Sequence, residues 1–173
     1  MECVLLNYVK DMYPLTANDL GAVFMDVAFA HLKVNGKMGI INQAAWLLKP
    51  AYKEYRSSII NNNDYWLENA LYLGPNTFPE LKGEVVQSVA FVSSHNKQRD
   101  SIFLHLKRGE SSEKKRELFL KKDCPQFNIS IKSFLQFAGL QFGFWINKDV
   151  QKTFKDSPIQ KYGDAKQGLK TGD

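Results

Sequence analysis

The chain of 173 residues is 44% apolar and 24% charged, which suits one soluble globular domain, and no apolar run nears the roughly 18 residues of a membrane span. Cys3 and Cys124 form no C-x-x-C unit and Met1 to Tyr13 has no leader pattern, so neither a disulfide framework nor secretion is indicated and a reduced, cytoplasmic protein is expected. Residues 1–90 carry 7 Lys/Arg against 9 Asp/Glu, a balance of −2, whereas residues 91–173 carry 16 against 9, a balance of +7. Such a basic half suits a polyanion only if its cations cluster in space; on charge alone a solvated, lysine-rich surface is the favoured reading.

In chain order, Val4-Leu5-Leu6 opens a helix or loop that needs something to pack on. Thr16, Asn18 and Asp19 can cap the next element, and Leu20, Val23, Phe24, Val27 and His31 recur at helical spacing until Asn35-Gly36. Lys37 to Asn42 is short and apolar and reads as a buried strand. Pro50 fits the first turn of a helix with Tyr52, Tyr55 and Ile59 inward, stopped by Asn61-Asn62-Asn63. Trp66 to Leu73 reads as a strand broken by Gly74-Pro75-Asn76, and Glu84 to Ser93 as the clearest strand of the chain.

The order helix, strand, helix, strand, strand predicts part of an α/β sheet, its C-terminal half, with an antiparallel edge strand pair. The sequence has no opening strand, glycine loop and helix. A sheet cut in this way leaves an edge and an apolar face uncovered, expected near Val4-Leu5-Leu6 and Met38-Ile40. Ile102 to Leu106 then reads as a half-exposed strand, Glu113 to Lys122 as a short charged helix, and Ile129 to Phe137 as mixed and apolar. Phe144 to Phe154 reads as a helix with Trp145, Val150 and Phe154 inward, and Lys161 to Asp173 as a polar loop.

Four segments resemble the PglX-type adenine-specific DNA methyltransferases of BREX phage-defence systems. They are Tyr13-Pro14 through Asn18-Asp19-Leu20, Phe24, His31-Leu32 and Asn35-Gly36-Lys37; Ile40-Ile41-Asn42-Gln43 with Trp46 and Arg56; Leu73-Gly74, Phe78, Gly83-Glu84-Val85-Val86-Gln87 and Ala90-Phe91-Val92; and Lys166-Gln167-Gly168-Leu169-Lys170-Thr171-Gly172-Asp173. The resemblance implies a partial Rossmann-like class I methyltransferase fold and the chemistry of that family, methyl transfer from S-adenosylmethionine to the N6 amine of an adenine extruded from double-stranded DNA. It divides the chain into 1–95, the C-terminal half of the methylating domain; 96–160, an α/β insertion with a connecting helix region; and 161–173, the start of a target-recognition junction.

The family's chemistry rests on an Asn/Asp-Pro-Pro-Tyr/Phe loop and a glycine-rich donor turn, and neither occurs here. Both are expected before Met1, so no catalytic residue and no cofactor-binding residue are assigned, and no S-adenosylmethionine is expected on this chain alone. The implied partners are DNA, the missing N-terminal half and other defence-system subunits, with no membrane.

What the resemblance carries over is an aromatic residue on the loop between the last two strands, which packs on the flipped base. Phe78, in Thr77-Phe78-Pro79-Glu80-Leu81-Lys82, matches it, with Lys82 near a phosphate. Stacking contributes on the order of 1–3 kcal/mol per base. Read without the resemblance, Phe78 is a loop aromatic plugging the end of the sheet.

Lys114, Lys115 and Arg116 are weak candidates for DNA phosphates, against a solvated helix face partly neutralised by Glu113 and Glu117. His31, His95 and His105 share no ligand spacing, so no metal site is assigned. Asp19 reads as a first-turn charge, Asp26 as a surface residue, and Trp46, Trp66 and Trp145 as core. Two other functions compete with the methyltransferase module. One is a non-catalytic protein that binds DNA or methyltransferase subunits, and the other is an unrelated small α/β domain.

Overall fold

The computed structural model describes residues 4–78, 86–106 and 111–154, together with Lys161 and Gly163. Helices α1 (Val4–Met12) and α2 (Leu20–Ala30) precede strand β1 (Lys37–Gln43). Helix α3 (Ala45–Leu48), a 3-10 turn (Pro50–Tyr52) and α4 (Lys53–Asn61) lead into β2 (Tyr65–Gly74), followed by β3 (Ser88–His95) and β4 (Ser101–His105). Helix α5 (Ser112–Leu120), β5 (Gln126–Ile129), a 3-10 helix (Ile131–Gln136) and α6 (Lys148–Thr153) complete the described elements.

The five strands form one sheet in the order β1-β3-β2-β4-β5. β3 runs antiparallel to both β1 and β2, so those two are parallel to each other, and β4 is parallel to β2. β1 and β2 are therefore joined by a helical crossover that skips a strand, while β5 folds back antiparallel on β4. This is an α/β fold. The expected pair of β2 and β3 forms, with Ala70 opposite Phe91, and it is flanked by β1 on one side and β4 on the other. β4 and β5 thus extend the same sheet.

One sheet face carries the core. Met25 from α2, Trp46 and Leu47 from α3, and Ile60 from α4 join Leu67, Ala70, Val89, Phe91 and Phe103 from the strands. Aromatic rings close the cluster: Phe103 stacks on Phe144 at 4.7 Å, Phe134 on Phe142 at 4.8 Å, and Trp46 meets Phe91 edge-on at 5.3 Å. Each such side chain contributes roughly 1.5–3 kcal/mol by leaving water. Arg56 is fully buried among them, and its guanidinium donates to the carbonyls of Trp46 (2.7 Å), Lys49 (2.9 Å) and Gly139 (2.7 Å). Burial lowers its pKa to about 10, which leaves it charged at neutral pH.

Several expectations are corrected. In α2 the buried residues are Ala22, Val23 and Met25, while Leu20 and Phe24 face solvent. The helix is apolar nearly all round, so periodicity could not choose its inner face. The clearest strand begins at Ser88; Val86 and Gln87 precede it as loop, and Glu84 and Val85 lie outside the described residues. The helix expected over 144–154 shrinks to α6, because Asn147 accepts from Asp149 N at 2.8 Å and sets the start there. Val150 and Phe154 are consequently exposed. Asp26 is half-buried, and Thr16 Oγ1 donates to its Oδ2 at 2.7 Å; burial raises its carboxyl pKa although that hydrogen bond opposes the shift.

Candidate substrate-facing rim at the carboxyl end of the sheet

In open α/β sheets ligands bind beyond the carboxyl ends of the parallel strands. Here β1 ends at Gln43 and β2 at Gly74, and both pair with Ser88, the first residue of β3. Gln87, just before it, is fixed from both sides. Its backbone carbonyl accepts from Ala44 N at 2.7 Å, and its side-chain Oε1 accepts from the Tyr72 hydroxyl. A cavity of about 210 Å³ opens there between Gln43, Ala44, Leu48, Lys49 and Gln87.

The start of α2 reaches the same rim. A Cβ on Gly21 would lie 2.5 Å from Asn42 Oδ1, so glycine is what allows the helix to approach the end of β1. Asp19, which accepts from Gly21 N at 2.9 Å, also faces the Tyr52 hydroxyl at 3.4 Å. Burial, then the nearby Asp19 carboxylate, raises the pKa of Tyr52 and keeps its hydroxyl protonated.

Beyond β2 the chain reverses sharply. Gly74 and Asn76 adopt left-handed backbones (φ 70° and 54°), and Thr77 Oγ1 donates to Gly74 O at 3.0 Å. Phe78 follows this turn with 39% of its surface exposed. It neither plugs a sealed core nor lies fully open. Lys82 lies outside the described residues.

Lys115 holds the turn from behind. It is 3% exposed, and its ammonium donates to the carbonyl of Pro75. Burial lowers its pKa. Lys115 is thus spent inside the fold and is not available to a phosphate, which corrects its assignment. Lys114 pairs with Glu117 at 2.9 Å, and Arg116 is exposed. Phe78 follows the turn beyond β2, and the three consecutive cations lie on different sides of α5. Gln87 escaped notice as a site residue, although it closes the Gly83–Gln87 motif.

The rim cavity offers, among the described residues, the side-chain amides of Gln43 and Gln87 and the ammonium of Lys49. That set can hold and orient a planar, hydrogen-bonding substrate such as a nucleobase. It lacks, among the described residues, a nucleophile with an adjacent base. No family model matches the chain. It is 29% identical over 181 aligned positions, covering 99% of its length, to the adenine-specific methyltransferase PglX of Lacticaseibacillus casei (strain Zhang). It is 28% identical, over 89% of its length, to the adenine-specific methyltransferase BrxX of Escherichia coli O9:H4 (strain HS).

The resemblance to adenine-specific methyltransferases holds across most of the chain. The chain spans 15% and 13% of the length of those two relatives. A cryo-EM structure of a DrdV–DNA complex superposes on 83% of the chain with a TM-score of 0.56 at 11% identity, covering 16% of that protein, a likeness of fold.

The methyl donor used by such enzymes does not fit the residues present. The rim cavity, at about 210 Å³, is below the roughly 300–1,000 Å³ usual for small-molecule sites, and among the described residues no carboxylate lines it to take ribose hydroxyls. Among the described helices none is long and apolar enough to cross a membrane.

Proposed function

We propose that this chain is the base-facing part of a site-specific DNA adenine-N6 methyltransferase of a phage-defence or restriction-modification system. The observation that carries the reading is similarity over 99% of the chain to a methyltransferase of which it covers 15%. The rim supports it: its amides and the turn before Phe78 lie where an α/β sheet receives ligand. Residues 1–95 form the C-terminal half of the methylating domain, 96–160 an inserted α/β region, and 161–173 the start of a target-recognition junction. Phe78 stacks on the extruded adenine, with Lys82 and, weakly, Lys114 and Arg116 near the DNA backbone.

The missing N-terminal half supplies S-adenosylmethionine and the acceptor loop, so the chain alone binds no donor and transfers no methyl group. Its residues bind and orient; the methyl transfer itself belongs to the completed domain. Double-stranded DNA, that N-terminal half and other defence subunits are its partners, in the cytoplasm.

A tritiated-methyl assay of the 173-residue chain on unmethylated DNA should give background counts; sustained turnover would overturn the reading. Stacking has its own check. Phe78→Ala should weaken binding of a single-stranded 2-aminopurine oligonucleotide by about 1–3 kcal/mol. Equal affinity would remove Phe78 from the site.

A further inference from the structure

The opposite end of the sheet holds a second cavity, of about 460 Å³, at the amino ends of β2 and β4. Asn63 precedes β2, residues 97–100 join β3 to β4, and Ser130 and Lys132 follow β5, whose Ile129 pairs with Ser101 at the start of β4. The ten residues of β2 put it about 30 Å from the rim.

Three features define what it can hold. First, every described residue lining it is polar or charged, which suits a polar ligand. Second, Lys97, Arg99 and Lys132 converge there from two separate segments, with Asp100 the one carboxylate among the described lining residues, a balance of +2. None of the three cations makes an ion pair among the described residues, unlike Lys37, Lys114, Lys121 and Lys152. Third, the segment presenting two of them is pinned. Gln98 N donates to Asn63 O at 3.1 Å, and Gln98 Nε2 lies 3.3–3.4 Å from the carbonyls of Ile59, Ile60, Asn62 and Tyr65. The Arg99 guanidinium lies over the Trp66 ring, 5.5 Å from its centroid, and Trp66 Nε1 donates to Asp100 O at 3.4 Å.

We propose that this cavity binds a phosphate ester, from a nucleic-acid backbone or a free nucleotide, through Lys97, Arg99 and Lys132. It stands independently of how the rim is used. Sequence alone favoured a solvated surface because clustering in space was not visible; here cations more than thirty positions apart meet. Neutral donors from Asn63 and Ser130 complete a surface suited to phosphate oxygens, and a volume in the 300–1,000 Å³ range admits a nucleotide. Little side-chain freedom remains to be lost at Arg99, already held against Trp66.

The test compares the 173-residue chain with K97Q/R99Q/K132Q, with the mild single variant Lys132→Gln, and with K37Q/K152Q, two exposed lysines outside both sites, as a control, each checked by thermal melting. The probes are a fluorescein-labelled DNA duplex, read by anisotropy across a salt series, and AMP and inorganic phosphate, read by calorimetry. The triple variant should lose about tenfold or more in duplex affinity, with a salt slope shallower by about 2–3, while the control keeps most of both. Lys132→Gln should lower that slope by about 1. If duplex binding is unchanged but AMP or phosphate binding is lost in the triple variant, the proposal stands with a free phosphate as ligand. Binding of every probe unchanged in Lys132→Gln and in a folded triple variant overturns it, as does a parent chain that binds none of them. Should the triple variant fail to melt cooperatively, Lys132→Gln decides alone.

Discussion

Ile102 and Phe103 are neighbours in β4 and lie on opposite faces of the sheet. Phe103 is fully buried, stacked on Phe144 and edge-on to Phe134 at 5.7 Å; Ile102 is 40% exposed. The contrast runs across all the inner strands. One face is covered by α2, α3, α4 and the 3-10 helix over 131–136, while the other, with Ile41, Leu71, Val92, Ile102 and Leu104, carries α5 through Phe119 over a hollow of about 530 Å³. Parallel strands are ordinarily covered on both faces. The lesson is that the covered face holds this chain together, while the other, among the described residues, has the composition of an interior with few of its contacts. The uncovered apolar residues partly match expectation: Val4, Leu5 and Leu6 are exposed, but on β1 it is Ile41 and not Met38 that faces out.

The sharpest way to break this comparison is Phe103→Ala. Removing a ring that touches several others should cost about 3–5 kcal/mol in denaturant unfolding, because the aromatic cluster can collapse only in part. A loss below about 1 kcal/mol would mean that the covered face is not the stabilising one.

Arg56→Met comes next. Methionine keeps much of the packing volume but strands the carbonyls of Trp46 and Gly139, which no other described side chain serves, and leaves that of Lys49 with Tyr52 N at 3.2 Å. The expected loss is about 2–4 kcal/mol, since hydrogen bonds to a charged group are worth more than neutral ones. Lys49 lines the rim cavity, so Arg56 also ties the core to the site. Parent-like unfolding of the variant would show that water replaces the guanidinium at no cost.

What the sequence revealed follows from the same division. β1, β2, β4, α4 and α5 were legible because punctuation marks them: Gly36, Asn61-Asn62-Asn63, Gly74-Pro75 and the Ser111 cap. β5 was not, since Gln126 to Ile129 is four residues long and gains strand character only by pairing with β4. α3 was hidden for a similar reason, a single turn defined by packing Trp46 and Leu47. Phe78 was singled out through a motif, and it follows the left-handed turn beyond β2. Lys115 was misread because its neighbours in sequence are surface cations, and nothing local says that its ammonium turns inward to Pro75. The cavity of Lys97, Arg99 and Lys132 depends on strand order, which no local pattern contains.

The smallest expected effect comes from Ile102→Ser on the open face. Isoleucine suits a strand better than serine, which favours a small loss, but its side chain already meets water and gives up little burial. The two together should leave stability within about 0.5–1 kcal/mol of the parent. Binding of an apolar dye such as ANS should fall in the same variant, because the hollow loses part of its apolar lining. If Ile102→Ser instead cost as much as Phe103→Ala, the face would be covered in solution, and the one-sided core inferred from β4 would be wrong.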